Sequence, residues 1–453
     1  MYSASLWVRT MNGIPAVLAA FVLLAVPLGL AGTVAAADGD GRDLTPIVIG
    51  PITTDRFGGG GMVGVRAGDT IFGVRYGTAE HPNNLVIFAE YKRFLGLAEL
   101  LDTQGAYIRT RGIPVYTVLG QGMEGFLEFE DRNGDGLLNF VHVENRTLEN
   151  RTTEIVDVPV KGLHLKASWD LVPPTVEVAD NTTYVNFTLA ATNLPYASSR
   201  LNLTPPPGAL DRVAFTFHLQ VDIVERSGRI PVFRVSVDDG NERVISHVEF
   251  TGYRDVSGRG VAMGAKYDHA IDGWDFANGT NRLALETHFL FGNYFPIQIA
   301  RFVHMALYRD HSENETREDR HDGNSTDLEP RLYTRDRIYF ADDWTRVSRF
   351  EWESNVTVDG RPDTMSFQIQ GGSRLGLRHD LAVFEGFRIR GAFIYPSGTA
   401  IFHDPAMYAE SVVPSLPTGL NLTPLTILAV QLGLVAIALG PALYLRAKAR
   451  RRT

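Results

Sequence analysis

The sequence predicts a mainly β chain, a β-sandwich body plus one C-terminal transmembrane helix, and three features point to it. Apolar and polar residues alternate over many short stretches, the period of a strand with one buried and one wet face. Pro, Gly, Asn and Asp punctuate those stretches, as turns between strands require. Near the end, a long apolar run stops at a cluster of cations. The alternation fits either one large sandwich or two consecutive ones.

Taken in order, the chain opens with Arg9, an apolar stretch from Ile14 to Leu30, and Ala35, Ala36 and Ala37 ahead of Asp38. That is the order of a secretory signal peptide, residues 1–37, cleaved after Ala37. The clearest strand is VAFTFHLQVDIVE. Its Val213, Phe215, Phe217, Leu219, Val221 and Ile223 share one face; Ala214, Thr216, His218, Gln220 and Asp222 share the other. In YVNFTLAATN, Val185, Phe187 and Leu189 point one way and Asn186 the other. In EWESNVTVDG, Trp352, Val356 and Val358 oppose Asn355. Further strands are expected at Thr70–Tyr76, Leu85–Tyr91, Val232–Val237, Val244–Phe250, Leu283–Phe291, Met365–Ile369 and Phe384–Tyr395. Arg301 to Tyr308 reads as a short helix or another strand.

LVPPT, 171–175, reads as a Pro-rich break, so the chain is expected to divide into β domains at 38–170 and 171–415. A linker at 416–424 leads to the apolar segment 425–445, interrupted only by Thr426 and Gln431. At 1.5 Å per residue it reaches about 30 Å, the thickness of a bilayer core. The tail 446–453 carries Arg446, Lys448, Arg450, Arg451 and Arg452, and such a cluster stays cytoplasmic. The body of the chain is therefore expected outside the cell, held by a single membrane span.

Asn145, Asn150, Asn181, Asn186, Asn202, Asn278, Asn314, Asn324, Asn355 and Asn421 each begin an N-x-T triplet without Pro in the middle. Chance supplies about two, so the excess points to N-glycosylation. Asn421 is the weakest, lying next to the membrane segment. The chain has no cysteine, so packing, ions or glycans must do what disulfides do in many exported proteins. The combination resembles archaeal cell-surface glycoproteins, a class that joins a signal peptide, Thr sequons, few cysteines and one C-terminal anchor. A net charge of −9 offers no basic patch for nucleic acid.

One stretch carries a ligand pattern. DRNGDGLLN places oxygens at Asp131, Asn133, Asp135 and Asn139, a main-chain carbonyl at Leu137 and a Gly at 136. These are positions 1, 3, 5, 9, 7 and 6 of an EF-hand or dockerin-type calcium loop, which the stretch resembles. The resemblance implies a structural calcium ion. At position 12, where an EF-hand has a bidentate Glu, stands His142. The flanks FLEFE and FVHVE read as the two strands of a hairpin, with Glu130 or Glu144 as further ligands. The competing reading needs no ion, because Asn-Gly and Asp-Gly are strong turn dipeptides.

Other candidates are weaker. GGGMVG, 59–64, matches G-x-G-x-x-G but precedes a strand pattern rather than a helix, so a flexible loop is expected. Asp268, His269, Asp272, Asp275, His403, Asp404, His311 and His321 are acid–base or metal types without the spacing of a zinc motif. Trp169, Trp274, Trp344 and Trp352 suit either a sugar-binding platform or a core. The expectation is a surface glycoprotein with a structural, adhesive or carbohydrate-contact role, meeting carbohydrate or envelope proteins. The alternative is a membrane-tethered carbohydrate-active enzyme, which a pocket gathering His269, Asp272 and His403 would favour. A solute-binding receptor would show a deep cleft.

Overall fold

The computed structural model describes residues 44–54, 59–139, 142–147, 150–154, 157–197, 206–238, 241–296, 332–334, 337–340, 348–378 and 382–414. Residues 1–37, the segment 301–308 and the apolar segment 425–445 lie outside them. Every regular element among the described residues is a strand, and none is a helix long and apolar enough to cross a membrane. The chain is mainly β, as the alternation predicts.

The first strands are β1 (Ile47–Thr54), β2 (Gly60–Ala67), β3 (Thr70–Tyr76), β4 (Val86–Leu101) and β5 (Tyr107–Asp131). They pair antiparallel in chain order. A small hairpin follows, β6 (His142–Thr147) with β7 (Asn150–Glu154), and then β8 (Asp157–His164). Next come β9 (Asp170–Ala179), β10 (Thr182–Pro195), β11 (Ala209–Asp238), β12 (Asn241–Asp272) and β13 (Arg282–Pro296). The remainder is β14 (Leu332–Thr334), β15 (Arg337–Phe340), β16 (Ser348–Glu351), β17 (Asn355–Val358), β18 (Arg361–Thr364), β19 (Ser366–Arg378), β20 (Ala382–Tyr395), β21 (Ala400–His403) and β22 (Ala406–Pro414).

Two layers result, an arrangement consistent with a β-sandwich. In the first, β1 to β5 continue through β13 and β20 to β19, and β8 lies along the end of β5. In the second, β9, β10, β11 and β12 run side by side, and β21 and β22 line the far edge of β12. The layers are hydrogen-bonded to each other where Leu97–Leu101 of β4 runs parallel to Val232–Ser236 of β11. There the β4–β5 and β11–β12 hairpins form an arm with its own small core of Leu100, Ile113, Phe233 and Val235.

The main core draws on both layers: Val63, Phe72, Ile87, Phe126 and Phe393 from one, Phe187, Phe215, Phe217 and Tyr267 from the other. The alternation in β11 holds for Val213, Phe215, Phe217, Leu219 and Val221, all buried, whereas Ile223 is half-buried and Ala214, expected on the wet face, is buried. Each fully buried aromatic contributes about 1.5–3 kcal/mol of hydrophobic stabilisation. LVPPT, expected as a break, lies inside β9, which pairs along one edge with β10. Thr175 faces Asn186 and Val172 faces Thr188, so Pro173 and Pro174 together oppose Phe187 in a bulge. Proline lacks the N–H a central strand needs, and an edge strand with a bulge tolerates it.

One charged pair is sealed into this core. Glu128 of β5, fully buried, accepts hydrogen bonds from Trp274 Nε1 (3.0 Å), the Ala277 amide (2.9 Å) and Asn281 Nδ2 (2.5 Å). Lys161 Nζ of β8 stands 3.6 Å from its carboxylate and 4.3 Å from the centre of the Tyr196 ring. Lys161 also donates to the Asp275 carbonyl. Removing one partner of such a pair leaves an uncompensated buried charge. Glu128→Ala, which also strands three N–H donors, will cost about 3–5 kcal/mol in denaturant unfolding. Lys161→Met also leaves a buried charge, but one that keeps three N–H donors, so it will cost less than Glu128→Ala; an equal or larger loss would contradict this account.

Candidate functional site

The DRNGDGLLN loop leaves the end of β5 and is held shape by its own side chains. Asp131 Oδ1 accepts from the Gly134 amide (2.8 Å) and Oδ2 from the Gly136 amide (3.0 Å). Asn133 Oδ1 accepts from the Asp135 amide (3.2 Å), and Asp135 Oδ1 from the Leu137 amide (2.8 Å). Gly134 and Gly136 sit at φ of 70° and 71°, where glycine carries no steric cost. Asp135 Oδ2 further accepts from Asn133 Nδ2 (2.7 Å) and Asn139 Nδ2 (3.3 Å).

The rest of the molecule clamps this loop. Arg282 Nε of β13 lies 2.8 Å from Asp131 Oδ2. From β19, Ser366 donates to the Gly136 carbonyl (2.7 Å), and Gln368 accepts from the Leu138 amide (2.7 Å) while donating to Asn139 Oδ1 (3.1 Å). Leu138 packs with Leu127, Phe129 and Ile394. The expected hairpin does not form. β6 pairs with β7, and the strand beside the end of β5 is β8. Glu130 faces away from Asp131 by strand alternation and pairs with Arg132 at 3.1 Å.

β8 brings a residue that the sequence did not single out. Asp157 stands opposite Asp131 in the ladder. It is fully buried. Its Oδ2 accepts from the Asn139 amide at 2.5 Å, and its own amide donates to the Asn139 carbonyl at 3.1 Å. Its Oδ1 is buried without a hydrogen-bond partner. Burial pushes the carboxyl pKa up, the Asn139 amide pulls it down, the charges of Asp131 and Asp135 push it up again, and the Arg132 amide nearby pulls it down. The oxygens here are the hard donors that calcium takes. Among the described residues no group of three or more His, Asp or Glu side chains is placed to hold a metal ion.

The scattered His and Asp candidates separate. His269 and His403 face each other across β12 and β21, but inside the core, 0% and 1% exposed. Tyr395 of β20 stands between them: His269 Nε2 is 2.6 Å and His403 Nδ1 3.1 Å from its hydroxyl. Only one proton arrangement serves this chain. His403 Nε2 lies 2.9 Å from the Glu353 carbonyl, which can only accept, so Nε2 holds the proton. Neutral His403 then accepts at Nδ1 from Tyr395, and His269 donates from Nε2 to the same hydroxyl. His269 Nδ1 is left buried without a partner.

Asp272 pairs with Arg212 at 3.1 Å on the surface, and Asp275 is exposed. Asp268 lies on the outer face, 3.2 Å from His218, which also contacts Asn186 Oδ1 at 2.9 Å. Asp404 pairs with Lys266 at 2.6 Å. His311, His321 and Trp344 lie outside the described residues. Trp169, Trp274 and Trp352 are all buried in the core and form no platform. GGGMVG is not a flexible loop: it runs into β2 between β1 and β3, and a Cβ on Gly64 would lie 2.2 Å from the Phe72 carbonyl.

Of the sequons, Asn181 sits exposed in the β9–β10 turn, Asn278 exposed in the β12–β13 connection and Asn355 exposed at the start of β17. Asn186 lies on the outer face of β10, half-buried beside His218. Asn145 and Asn150 belong to β6 and β7. Asn202, Asn314, Asn324 and Asn421 lie outside the described residues. No family model matches the chain, and a search of curated proteins finds no significant relative.

The buried imidazoles make stability depend on pH. Burial lowers the His403 pKa to about 4, against the Glu353 carbonyl and Asp404, which raise it, and burial holds His269 well below its ordinary value. Between about 4 and the ordinary histidine value of 6.5 the unfolded chain binds a proton that folded His403 refuses. Stability from this residue is therefore complete above 6.5 and is lost as pH falls towards about 4. The span of 6.5 minus about 4 corresponds to about 3 kcal/mol at 1.36 kcal/mol per unit. Denaturant unfolding across that range will show a steeper pH slope for the natural protein than for His403→Gln; parallel slopes would refute the assignment.

Proposed function

We propose that this chain is a membrane-anchored cell-surface glycoprotein with a structural, adhesive or carbohydrate-contact role in the cell envelope. The observation that carries the reading is where the sequons fall on the fold. None lies in a strand of the first layer, β1 to β5, β8, β13, β19 and β20. Among the described residues, Asn181, Asn278 and Asn355 are exposed at turns or strand starts, where a bulky polar glycan disturbs no packing. The burial of His269 and His403 and the separation of Asp272 from them also favour this role over the pocketed enzyme. The signal peptide, the single span with its extracellular body, and the partners among carbohydrates or envelope proteins belong to the same reading.

A second reading keeps one specific observation. Asp268 and Asp404 each have a buried Oδ1 without a hydrogen-bond partner on the outer face of the second layer, and burial followed by the charge of Asp404 raises the Asp268 pKa. Two unlike carboxylates are what glycoside hydrolysis uses. A membrane-tethered carbohydrate-active enzyme would place its acid–base pair there.

Mass spectrometry of the protein taken from membranes will find glycan on Asn181, Asn278 and Asn355, and protease added to intact cells will digest the body of the chain. Unmodified Asn at all three positions, or protection from external protease, would remove this reading. Hydrolysis of a polysaccharide panel that disappears in Asp268→Asn and Asp404→Asn would establish the second one instead.

A further inference from the structure

We propose that the Asp131–Asn139 loop is one half of a divalent-cation site of the calcium class, and that Asp157 of β8, rather than Asn139, completes its oxygen set. Asp131 and Asp157 are direct partners in the β5–β8 ladder. Like charges so placed repel across about 5 Å. A chain gains nothing by putting two carboxylates there unless something positive joins them.

Asp157 supplies an independent sign of what is missing. The side chain is fully buried, one oxygen is held by the Asn139 amide, and the other makes no hydrogen bond, the Arg132 amide lying near the carboxylate without closing one. A buried carboxylate oxygen without a partner is costly. It lies on the same side of the ladder as the Asp131 carboxylate, whose loop folds back over it through the Gly134 and Gly136 amides. Asn133 Oδ1 and the Asp135 carboxylate accept from groups inside the loop, whereas Asn139 has its carbonyl oxygen held from β19 by Gln368 and its amide nitrogen turned to Asp135. Its own main-chain amide is what presents Asp157. Position 9 of the loop thus serves as a positioning residue, and the oxygen comes from the neighbouring strand.

Charge agrees with a divalent ion. Asp131, Asp135 and Asp157 carry three negative charges, and among the described residues Arg282 is the one cation paired with them, through Asp131 Oδ2. Two negative charges remain. Asn133 Oδ1 and the Leu137 carbonyl add neutral hard oxygens, and a mixed set of carboxylate, amide and main-chain oxygen suits calcium better than magnesium, which demands a strict octahedron. For an extracellular module a dissociation constant of about 10⁻⁴ to 10⁻³ M is expected. The inference does not depend on glycosylation or on membrane orientation.

The test uses the full-length protein in detergent, stripped with a chelator and then melted in chelator, in about 5 mM Ca²⁺ or in about 5 mM Mg²⁺, above the weak-site range. The natural protein is expected to melt about 2–4 °C higher in Ca²⁺ than in chelator, with a smaller effect of Mg²⁺. Asp157→Asn will have opposite effects in the two conditions: it relieves the repulsion from Asp131, raising the melting temperature in chelator, and it abolishes the rise with Ca²⁺. Asn139→Ala will lower the melting temperature in both conditions but keep a rise with Ca²⁺. No Ca²⁺ shift in the natural protein, or a full shift retained in Asp157→Asn, would overturn the proposal. Should Asp157→Asn fail to fold, calorimetric Ca²⁺ titration of the natural protein and of Asp135→Asn decides: heat of binding in the first and none in the second supports the site, and no heat in the first removes it.

Discussion

The seam between the two strand layers is where this protein is held together. Phe289 of the first layer meets Phe350 of the second with ring centres 4.4 Å apart, and Phe393 packs against Phe350, Trp352 and His269. With no cysteine in the chain, no disulfide constrains the unfolded state, so the burial of these side chains has to outweigh the entropy of ordering the backbone. The two layers are also one hydrogen-bonded system through the parallel pairing of β4 with β11, so neither can shift without disturbing the arm.

Polar bridges run through that seam and set its register. Tyr267 of β12 donates to Gln121 of β5, whose amide reaches Thr287 of β13 at 3.2 Å. Tyr395 of β20 links His269 of β12 with His403 of β21. Apolar contacts tolerate sliding, whereas a buried donor must meet its acceptor, so these chains select one alignment of the layers. The cost is a core that weakens in acid, because imidazoles fixed as neutral donors and acceptors resist protonation. The Glu128–Lys161 pair works in the same way, tying β5, β8 and the Trp274–Asn281 connection around one carboxylate.

The Asp131–Asn139 loop shows how a local pattern is enclosed by distant strands. Its turns are self-contained: Asp131, Asn133 and Asp135 each cap amides a few residues ahead. Those contacts would form in a turn with no ion. What distinguishes this loop is the ladder beneath it, where Asp157 faces Asp131. Arg282, Ser366 and Gln368 approach from β13 and β19, far along the chain. The loop is thus a junction of four strands of the first layer.

Alternation decided the strands because each residue's neighbours two positions away share its face. Thr70–Tyr76 is legible to the residue, and so is the buried face of β11 from Val213 to Val221, though not the burial of Ala214 or the half-exposure of Ile223. The ends of long strands were not, since Val232–Val237 and Val244–Phe250 are parts of β11 and β12 whose continuation depends on pairing partners. Pro173 and Pro174 read as a break because sequence carries no sign that their strand is an edge with a bulge. The loop oxygens from Asp131 to Asn139 were likewise visible as a spacing. By itself, then, the sequence determined the strand-rich class, the core faces, the turn chemistry of the loop and the positions of the sequons, all properties of residues near each other in the chain. Only the tertiary structure decided that His269 and His403 meet inside the core, that β6 abandons β5, and that Asp157 arrives opposite Asp131, because strand pairing over long loops leaves no local periodicity to read.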